Sequence, residues 1–236
     1  MRQTGIRRKA LAAAFPHTIP ILTGFLFLGM TYGIFMRSSG FSVWYPLCTS
    51  LIVFGGSLEF VIVSMLLSSF APMQTFVMAL MIQARHLFYG IAMLEKYKDT
   101  GWMKPHLIFG LCDETFSINC TTEAPADVDR NWFMFFVTML NHSYWVAGSV
   151  LGSLLGLLIP FPTEGLDFVM TAMFVVIFLE QWLKDRTHYT ALIGLAASVA
   201  CRLGFGADSF LIPTMVCILT MLTVFRRPIE KGGVKV

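Results

Sequence analysis

The chain has 236 residues, of which 56% are hydrophobic and 13% carry a charged side chain. Soluble domains usually carry about 25% charged residues, so the composition excludes an ordinary soluble protein and predicts one embedded in a membrane. The formal net charge is only +3. The basic residues lie at the termini and in short loops rather than in one patch, which excludes a nucleic-acid-binding surface.

Apolar stretches follow one another along the whole chain, with short polar connections between them. A helix needs about 20 apolar residues to cross the hydrocarbon core of a bilayer. Five stretches qualify readily, two are shorter or interrupted, and one is apolar only at its start. In chain order they are 15–36, 43–68, 74–94, 105–122, 132–158, 166–183, 188–203 and 209–225. The sequence therefore predicts an all-α polytopic membrane protein of about seven or eight segments, forming one domain over residues 1–236.

The positions of Lys and Arg predict the orientation, because cytoplasmic loops collect these residues. Fifteen Lys and Arg residues lie outside the segments. If all eight segments cross, eleven of these residues lie on the side of the N-terminus, and the other four, Arg37, Lys96, Lys98 and Lys104, lie on the opposite side. If only 105–122 fails to cross, the two numbers are exchanged. The rule therefore favours an even number of crossings, with both termini in the cytoplasm.

A short internal repeat is visible in the two halves 15–122 and 132–226. Each half reads as an apolar helix, a helix with a buried Glu and a helix with a buried Arg: Glu59 and Arg85, then Glu180 and Arg202. Internal repeats are common in transporters, whose sites lie at the repeat interface. Four crossings per half would make the repeat parallel and an odd number would make it inverted; a chance match is the alternative.

Three charged residues lie well inside apolar segments, where a charge costs at least ~2.5–3.5 kcal/mol on insertion scales. They are Glu59, Arg85 and Glu180. A structural Glu–Arg pair between helices is one explanation, and a site for a polar substrate or a transported proton is the other. Arg85 offers a planar fork that binds a carboxylate through two hydrogen bonds. The adjacent His86 titrates near neutral pH.

Polar residues also interrupt two later segments. Asp113 and Glu114 lie in 105–122, and acids at membrane depth are tolerated where they face protein or a water-filled cavity. The sequence predicts a broken helix whose acids take up and release protons; a helix end at the membrane surface is the alternative. Asn141, in 132–158, would be unsatisfied in lipid, so we expect it to face protein.

Glycines recur every four residues in two of the segments. They are Gly29 and Gly33 in 15–36, and Gly148, Gly152 and Gly156 in 132–158. This spacing lets two helix backbones approach closely. We therefore expect these glycines to serve helix packing.

The motifs favour no enzyme class. HExxH and GxSxG are absent, and GFGAD at 204–208 has one residue too many for the GxGD of intramembrane aspartyl proteases. There is no nucleotide-binding loop, and the five Cys form no CxxC pair, so no catalytic residue, cofactor or metal site is predicted. An ion channel filtered by the backbone of Gly55 and Gly56 is harder to exclude, although Arg85 would oppose cations.

Several strings, taken in order, resemble the AzlC family of branched-chain amino acid exporters. They are GGSLEF (55–60), RHLFYG (85–90), DETF (113–116), NHSYW (141–145), GLDF (165–168) and TAMFVVIFLEQW (171–182). The resemblance extends from about Pro20 to the end of the last segment. It implies export of valine, leucine or isoleucine, sometimes methionine, driven by an ion gradient across a bacterial plasma or inner membrane. It also implies a small membrane partner of the AzlD type.

A neutral amino acid needs a cation for its carboxylate and an acceptor for its ammonium group. Arg85 and Glu59 are the plain candidates, and the predicted substrate site is completed by Gly55, Gly56, Ser57 and Asn141. A channel or permease for another small solute is the alternative, and a membrane scaffold without transport is a third class.

Proton coupling is expected at Asp113 or Glu114, with His86 and Glu180 as further candidates. The resemblance implies Gln rather than Glu59 in many relatives. An amide cannot carry a proton, so Glu59 is the weaker candidate for coupling.

Overall fold

The computed structural model describes most of the first two-thirds of the chain and two helices near its end. The described residues are 2–69, 71–158, 175, 178–179, 182–183, 188–206 and 210–224. They belong to two compact units, Met1–Glu164 and Gly165–Val236. Every regular element in the described part is a helix, which confirms the all-α prediction.

The described part of the first unit contains eight α-helices and one turn of 3-10 helix at Gly101–Met103. The helices are α1 (Arg2–Ser38), α2 (Trp44–Ile52), α3 (Ser57–Leu67), α4 (Pro72–Ile82), α5 (Arg85–Met93), α6 (Lys104–Phe109), α7 (Asp113–Thr121) and α8 (Arg130–Leu158). The described helices of the second unit are α9 (Tyr189–Phe205) and α10 (Leu211–Val224). By length and composition, one described helical stretch, Gly5–Ser38, is able to cross a membrane by itself.

The long helices α1 and α8 pack side by side and run in the same direction. The ring of His17, in the first half of α1, meets that of Phe133, near the start of α8, edge-on with centroids 5.7 Å apart. Further along, Phe25 meets Trp145 in the same way at 5.6 Å. The N-termini of both helices therefore lie at one end of the unit, the N-terminal end, and their C-termini lie at the opposite, distal end.

Glycines line the contact between the distal halves of α1 and α8. A Cβ added to Gly33 would overlap the backbone oxygen of Ser149, and one added to Gly152 would overlap the backbone of Met30. Any larger side chain at these positions would hold the two helices apart. The close approach predicted from the four-residue spacing is therefore confirmed.

The stretch 43–68 folds as a hairpin of two short helices. After α2, Phe54 packs on His142, about midway along α8, with ring centroids 4.4 Å apart. Six residues later, Phe60 of α3 packs on Phe35, near the distal end of α1, with centroids 6.2 Å apart. The chain thus enters from the distal end, turns about midway between the two ends of the unit, a level we call mid-depth, and returns to the distal end.

The stretch 105–122 forms a second hairpin, which enters from the N-terminal end. Just before α6, Trp102 packs on Trp132 with ring centroids 5.8 Å apart. At the end of α6, Phe109 reaches His142, at 5.5 Å. α7 then returns, and the residues that follow it line a cavity together with the first residue of α8.

Between the two hairpins, α4 and α5 run from the distal end to the N-terminal end. α4 follows directly on α3, and the turns after α5 lie beside the end of α7, where Lys96 Nζ donates to the backbone oxygen of Asn119 at 3.1 Å. The helix is interrupted at Gln83 and Ala84. The described first unit is therefore traversed three times, by α1, α4–α5 and α8.

Two predicted crossings are corrected by this arrangement. The stretches 43–68 and 105–122 each reverse direction at mid-depth, and no helix within them exceeds 11 residues. Such a helix is about 16 Å long, roughly half the hydrocarbon thickness. Hydropathy measures how apolar a stretch is and carries no information on whether its backbone reverses direction, so both stretches were predicted to cross. The break predicted in 105–122 is present, but the helices before and after it, α6 and α7, both lie in the half of the unit toward the N-terminal end.

The predicted position of the basic residues in the loop before α6 is corrected as well. The prediction placed Lys96, Lys98 and Lys104 opposite the N-terminus. Asn131, at the start of α8, donates to the backbone oxygen of Asp99 in this loop at 3.3 Å. The loop therefore lies at the N-terminal end, together with the N-terminal part of α1.

We expect the loop before α6 to face the cytoplasm together with the N-terminus, because cytoplasmic surfaces collect Lys and Arg. In a cysteine-free background, Lys98→Cys and Arg8→Cys should react with a membrane-impermeant maleimide from the same side of oriented vesicles. Ser42→Cys, in the exposed turn between α1 and α2, should react from the other side. Labelling of Lys98→Cys from the same side as Ser42→Cys would contradict the hairpin at 43–68.

Candidate functional site

The interruptions of the two hairpins and of α4–α5 meet at mid-depth. The side-chain amide of Gln83 donates to the backbone oxygen of Gly55 at 3.2 Å. Phe54 and Phe109, from the turns of the two hairpins, have ring centroids 6.3 Å apart. We call this region, residues 53–56, 83–85 and 110–113 with the side chains that contact them, the junction. Membrane proteins often place polar sites at interrupted helices, because unwound backbone within a membrane is tolerated where it is buried in protein or lines a cavity.

Glu59 lies in the first turn of α3 and reaches back into the junction. Its Oε1 accepts hydrogen bonds from the backbone N–H of Gly55 at 3.1 Å and from the indole N–H of Trp145 at 2.9 Å. The side chain is fully buried. Within the described part of the chain it forms no ion pair, so the structural Glu–Arg pair considered for Glu59 is not seen there.

Gln83 and Trp145 are junction residues that the sequence reasoning missed. Trp145 is 4% exposed, and its indole N–H donates to the carboxylate of Glu59. A buried indole N–H usually finds an acceptor, so a Trp deep in an apolar segment was an available signal. Gln83 gave a similar signal, because a side-chain amide in lipid would be unsatisfied.

Two acceptor atoms beside Gly55 have no hydrogen-bond partner among the described residues. They are Oε2 of Glu59 and Oε1 of Gln83, and both are buried. Buried polar atoms are nearly always bonded to protein, water or ligand. Because both atoms accept hydrogen bonds, they suit a group that donates several, such as an ammonium.

Arg85 begins α5 and Asp113 begins α7, and the two form an ion pair across the junction. Nη1 of Arg85 donates to Oδ2 of Asp113 at 2.7 Å. The pair uses one hydrogen bond, although a guanidinium and a carboxylate can form two. Nε of Arg85 and Oδ1 of Asp113 find no partner within the described residues. About a third of each side chain is exposed, at 34% and 36%, so the pair remains accessible.

Asn141 faces protein, as predicted. It is fully buried, and its amide donates to Oγ1 of Thr115 at 3.1 Å, two residues after Asp113. The next residue of α8, His142, lies with Nε2 3.0 Å from the backbone oxygen of Ser50 in the last turn of α2. α8 therefore holds the tips of both hairpins in place.

Comparison with known proteins identifies the family. Residues 20–159 match the family model described as AzlC protein. The chain belongs to the AzlC family. It is 58% identical over 227 residues to the branched-chain amino acid transport protein AzlC of Bacillus subtilis, covering 96% of this chain and 89% of that protein. The family predicted from the ordered strings is therefore confirmed.

More distant relatives carry less specific names. An uncharacterized membrane protein of Haemophilus influenzae is 43% identical over 92% of this chain and 89% of its own length. The inner membrane protein YgaZ of Escherichia coli is 27% identical over 77% of this chain and 78% of its own. No solved structure matches the chain.

The region that matches the AzlC family contains the whole junction. Of the remaining predicted site residues, Gly56 belongs to the junction, and Ser57, His86 and Glu114 border it. Glu114 is partly buried beside Asp113, and Nδ1 of His86 lies 3.3 Å from the backbone oxygen of Gln83. Gly56, with a φ of 50°, and Ser57 lie at the turn into α3. Glu180 lies outside the described residues, and its predicted role stays a prediction.

Proposed function

We propose that the chain is a secondary transporter that exports neutral branched-chain amino acids. The observation that carries this proposal is the junction, where a cation, a carboxylate and open acceptor atoms meet at mid-depth in an apolar protein. A zwitterion requires such a set. The Bacillus subtilis relative is a branched-chain amino acid transport protein by name, which supports branched-chain amino acids as the substrate class.

In this proposal the substrate enters between Arg85 and Asp113. Its carboxylate takes the guanidinium of Arg85 through two hydrogen bonds. Its ammonium group donates to Asp113 and to the two buried oxygens that have no partner among the described residues, Oε2 of Glu59 and Oε1 of Gln83. Asn141 and the backbone of Gly55 to Ser57 complete the polar wall, and the aliphatic side chain lies against the surrounding apolar residues.

Proton coupling follows from competition at Asp113. A proton on its carboxyl removes the charge that attracts the ammonium group, so proton and substrate bind alternately. Alternate binding is what an exporter needs when protons move inward and substrate moves outward. Glu114, His86 and Glu180 remain further candidates for the proton path.

The basic residues support a cytoplasmic location of the N-terminal end. Suppose that the predicted segments 166–183, 188–203 and 209–225 each cross once after α8. Then fourteen of the fifteen Lys and Arg residues outside the segments lie on the side of the N-terminus, with Arg37 as the exception. We therefore propose a multi-pass protein with six crossings and two hairpins, and with both termini in the cytoplasm.

The test of the function is counterflow in proteoliposomes that contain the chain, prepared with and without a co-expressed small membrane partner of the AzlD type. Labelled leucine should accumulate transiently above equilibrium in vesicles preloaded with leucine, valine or isoleucine, but not in those preloaded with glutamate. Equilibration without overshoot would indicate a channel. Uptake no faster than in empty vesicles would contradict transport altogether.

Replacing Arg85 with lysine should leave membrane levels normal and reduce leucine counterflow about tenfold or more. Lysine keeps the charge but loses the planar fork, and a tenfold loss corresponds to about 1.4 kcal/mol. Arg8→Lys, on the exposed start of α1, is the matched control and should transport normally. Normal counterflow by Arg85→Lys would show that the fork does not hold the carboxylate.

A further inference from the structure

A cavity separate from the junction lies at the N-terminal end of the first unit. Its volume is about 340 Å³, within the usual range for small-molecule sites. It is enclosed by the end of α7, the loop that follows and the start of α8. The residues that carry its chemistry are Lys96, Asn119, Glu123, Arg130, Phe133 and Met134.

The wall of this cavity is built for a molecule with both charges and an apolar side. Lys96 and Arg130 supply two cations, and Glu123 supplies one carboxylate. Phe133 and Met134 are 1% and 2% exposed and form a fixed apolar floor. The side chain of Asn119 is buried, and its Oδ1 has no partner among the described residues.

We propose that this cavity is a second binding site, for a zwitterionic α-amino acid with an aliphatic side chain. Lys96 Nζ donates to the backbone oxygens of Asn119 and Cys120, which leaves one of its three protons. The substrate's carboxylate binds Arg130 and this remaining proton of Lys96, and its ammonium group binds Glu123. A phosphate group fits less well, because Glu123 repels an anion and the apolar floor gives it nothing to contact.

The position of the cavity gives the site a role, which rests on the proposed function. The loop that forms its rim carries Asp127, which pairs with Lys9 of α1 at 3.2 Å, so the opening lies at the basic, N-terminal end. An exporter takes up its substrate from the cytoplasm, where this end is proposed to lie. One helix borders both the cavity and the junction, because α7 has Asn119 near one end and Asp113 at the other. The cavity is thus an entry site that precedes the transport site.

Equilibrium dialysis of labelled leucine against the purified full chain tests the proposal without requiring transport. The wild-type chain should bind two leucines. The double variant Glu123→Gln and Arg130→Gln should bind one, and Arg85→Lys should retain the cavity site. Asp127→Asn, in the same loop but outside the cavity lining, is the control and should bind two.

Side-specific kinetics provide a second measurement. In oriented vesicles the double variant should raise the KM for leucine presented at the N-terminal end about tenfold, and Asp127→Asn should leave it unchanged. One leucine per wild-type chain, unaffected by the double variant, would overturn the proposal, as would stronger displacement by inorganic phosphate or anionic lipid vesicles than by valine. If counterflow fails while dialysis finds the cavity site, the proposed function falls and the binding site stands.

Discussion

Replacing Gly33 with alanine should remove most of the folded protein from the membrane. The new Cβ would overlap the backbone oxygen of Ser149, and it would also approach the backbone nitrogen of Ser153 to 2.5 Å. Both obstacles are backbone atoms of α8, so no side-chain rotation relieves the overlap. Overpacking usually costs about 1–3 kcal/mol, and separating two long helices along their contact adds to that cost. Total stabilities are only about 5–15 kcal/mol.

Gly24→Ala is the matched control, because it makes the same chemical change in the same helix. A Cβ at Gly24 meets no atom within 4 Å, so this variant should reach wild-type levels. The measurement is the amount of monodisperse protein after extraction in mild detergent, together with its thermal unfolding midpoint. Equal midpoints for the two variants would show that the α1–α8 contact does not stabilise the fold.

The contact that Gly33 makes illustrates what the sequence could and could not predict. The four-residue spacing of the glycines was enough to predict close packing, because that spacing places them on one helix face. Nothing in the spacing identified the partner of each helix or showed that α1 and α8 run parallel. Those features depend on how the residues between the two helices fold. Each hairpin returns to the end from which it entered, so α4–α5 is the one traversal between α1 and α8, and the two helices run parallel.

The hairpins themselves show the limit of hydropathy. The stretch 43–68 is long enough to cross a membrane, yet it turns back after α2. The turn needs positive φ values at Phe54 and Gly56, of 43° and 50°. Gly56, which was predicted to be a substrate or filter residue, was an available signal for this turn. Phe54 gave none, since a positive φ at Phe is unusual and is held here by burial at 7% exposure.

Several residues of the candidate site were predicted one by one, but their arrangement was not. Arg85 and Asp113 were each identified from the cost of charge in lipid, and Asn141 from the cost of an unsatisfied amide. Their proximity could not be predicted, because 28 residues and two helix interruptions separate Arg85 from Asp113. The same holds for Trp145 and Glu59, which lie 86 residues apart and share one hydrogen bond.

Asp113→Asn should abolish export driven by a proton gradient while leaving exchange of leucine at equal concentrations. Asparagine keeps an oxygen that accepts a hydrogen bond from the ammonium group, so substrate still binds at saturating leucine. It carries no titratable proton, so binding no longer alternates with protonation. It also loses the charge that attracts the ammonium group, so exchange should require a higher leucine concentration to reach half of its maximal rate.

The control for this prediction is Glu114→Gln, which makes the same kind of change one residue further along α7. A helix turns by about 100° per residue, so Glu114 points away from the direction in which Asp113 meets Arg85. Its driven export should therefore persist. Each variant is assayed in proteoliposomes for leucine efflux against a gradient, with the proton gradient imposed and then collapsed by an ionophore. Persistent driven efflux in Asp113→Asn would remove Asp113 from the coupling role. Loss in Glu114→Gln alone would place the coupling proton on Glu114, and loss in neither would direct the search to Glu59 and Glu180.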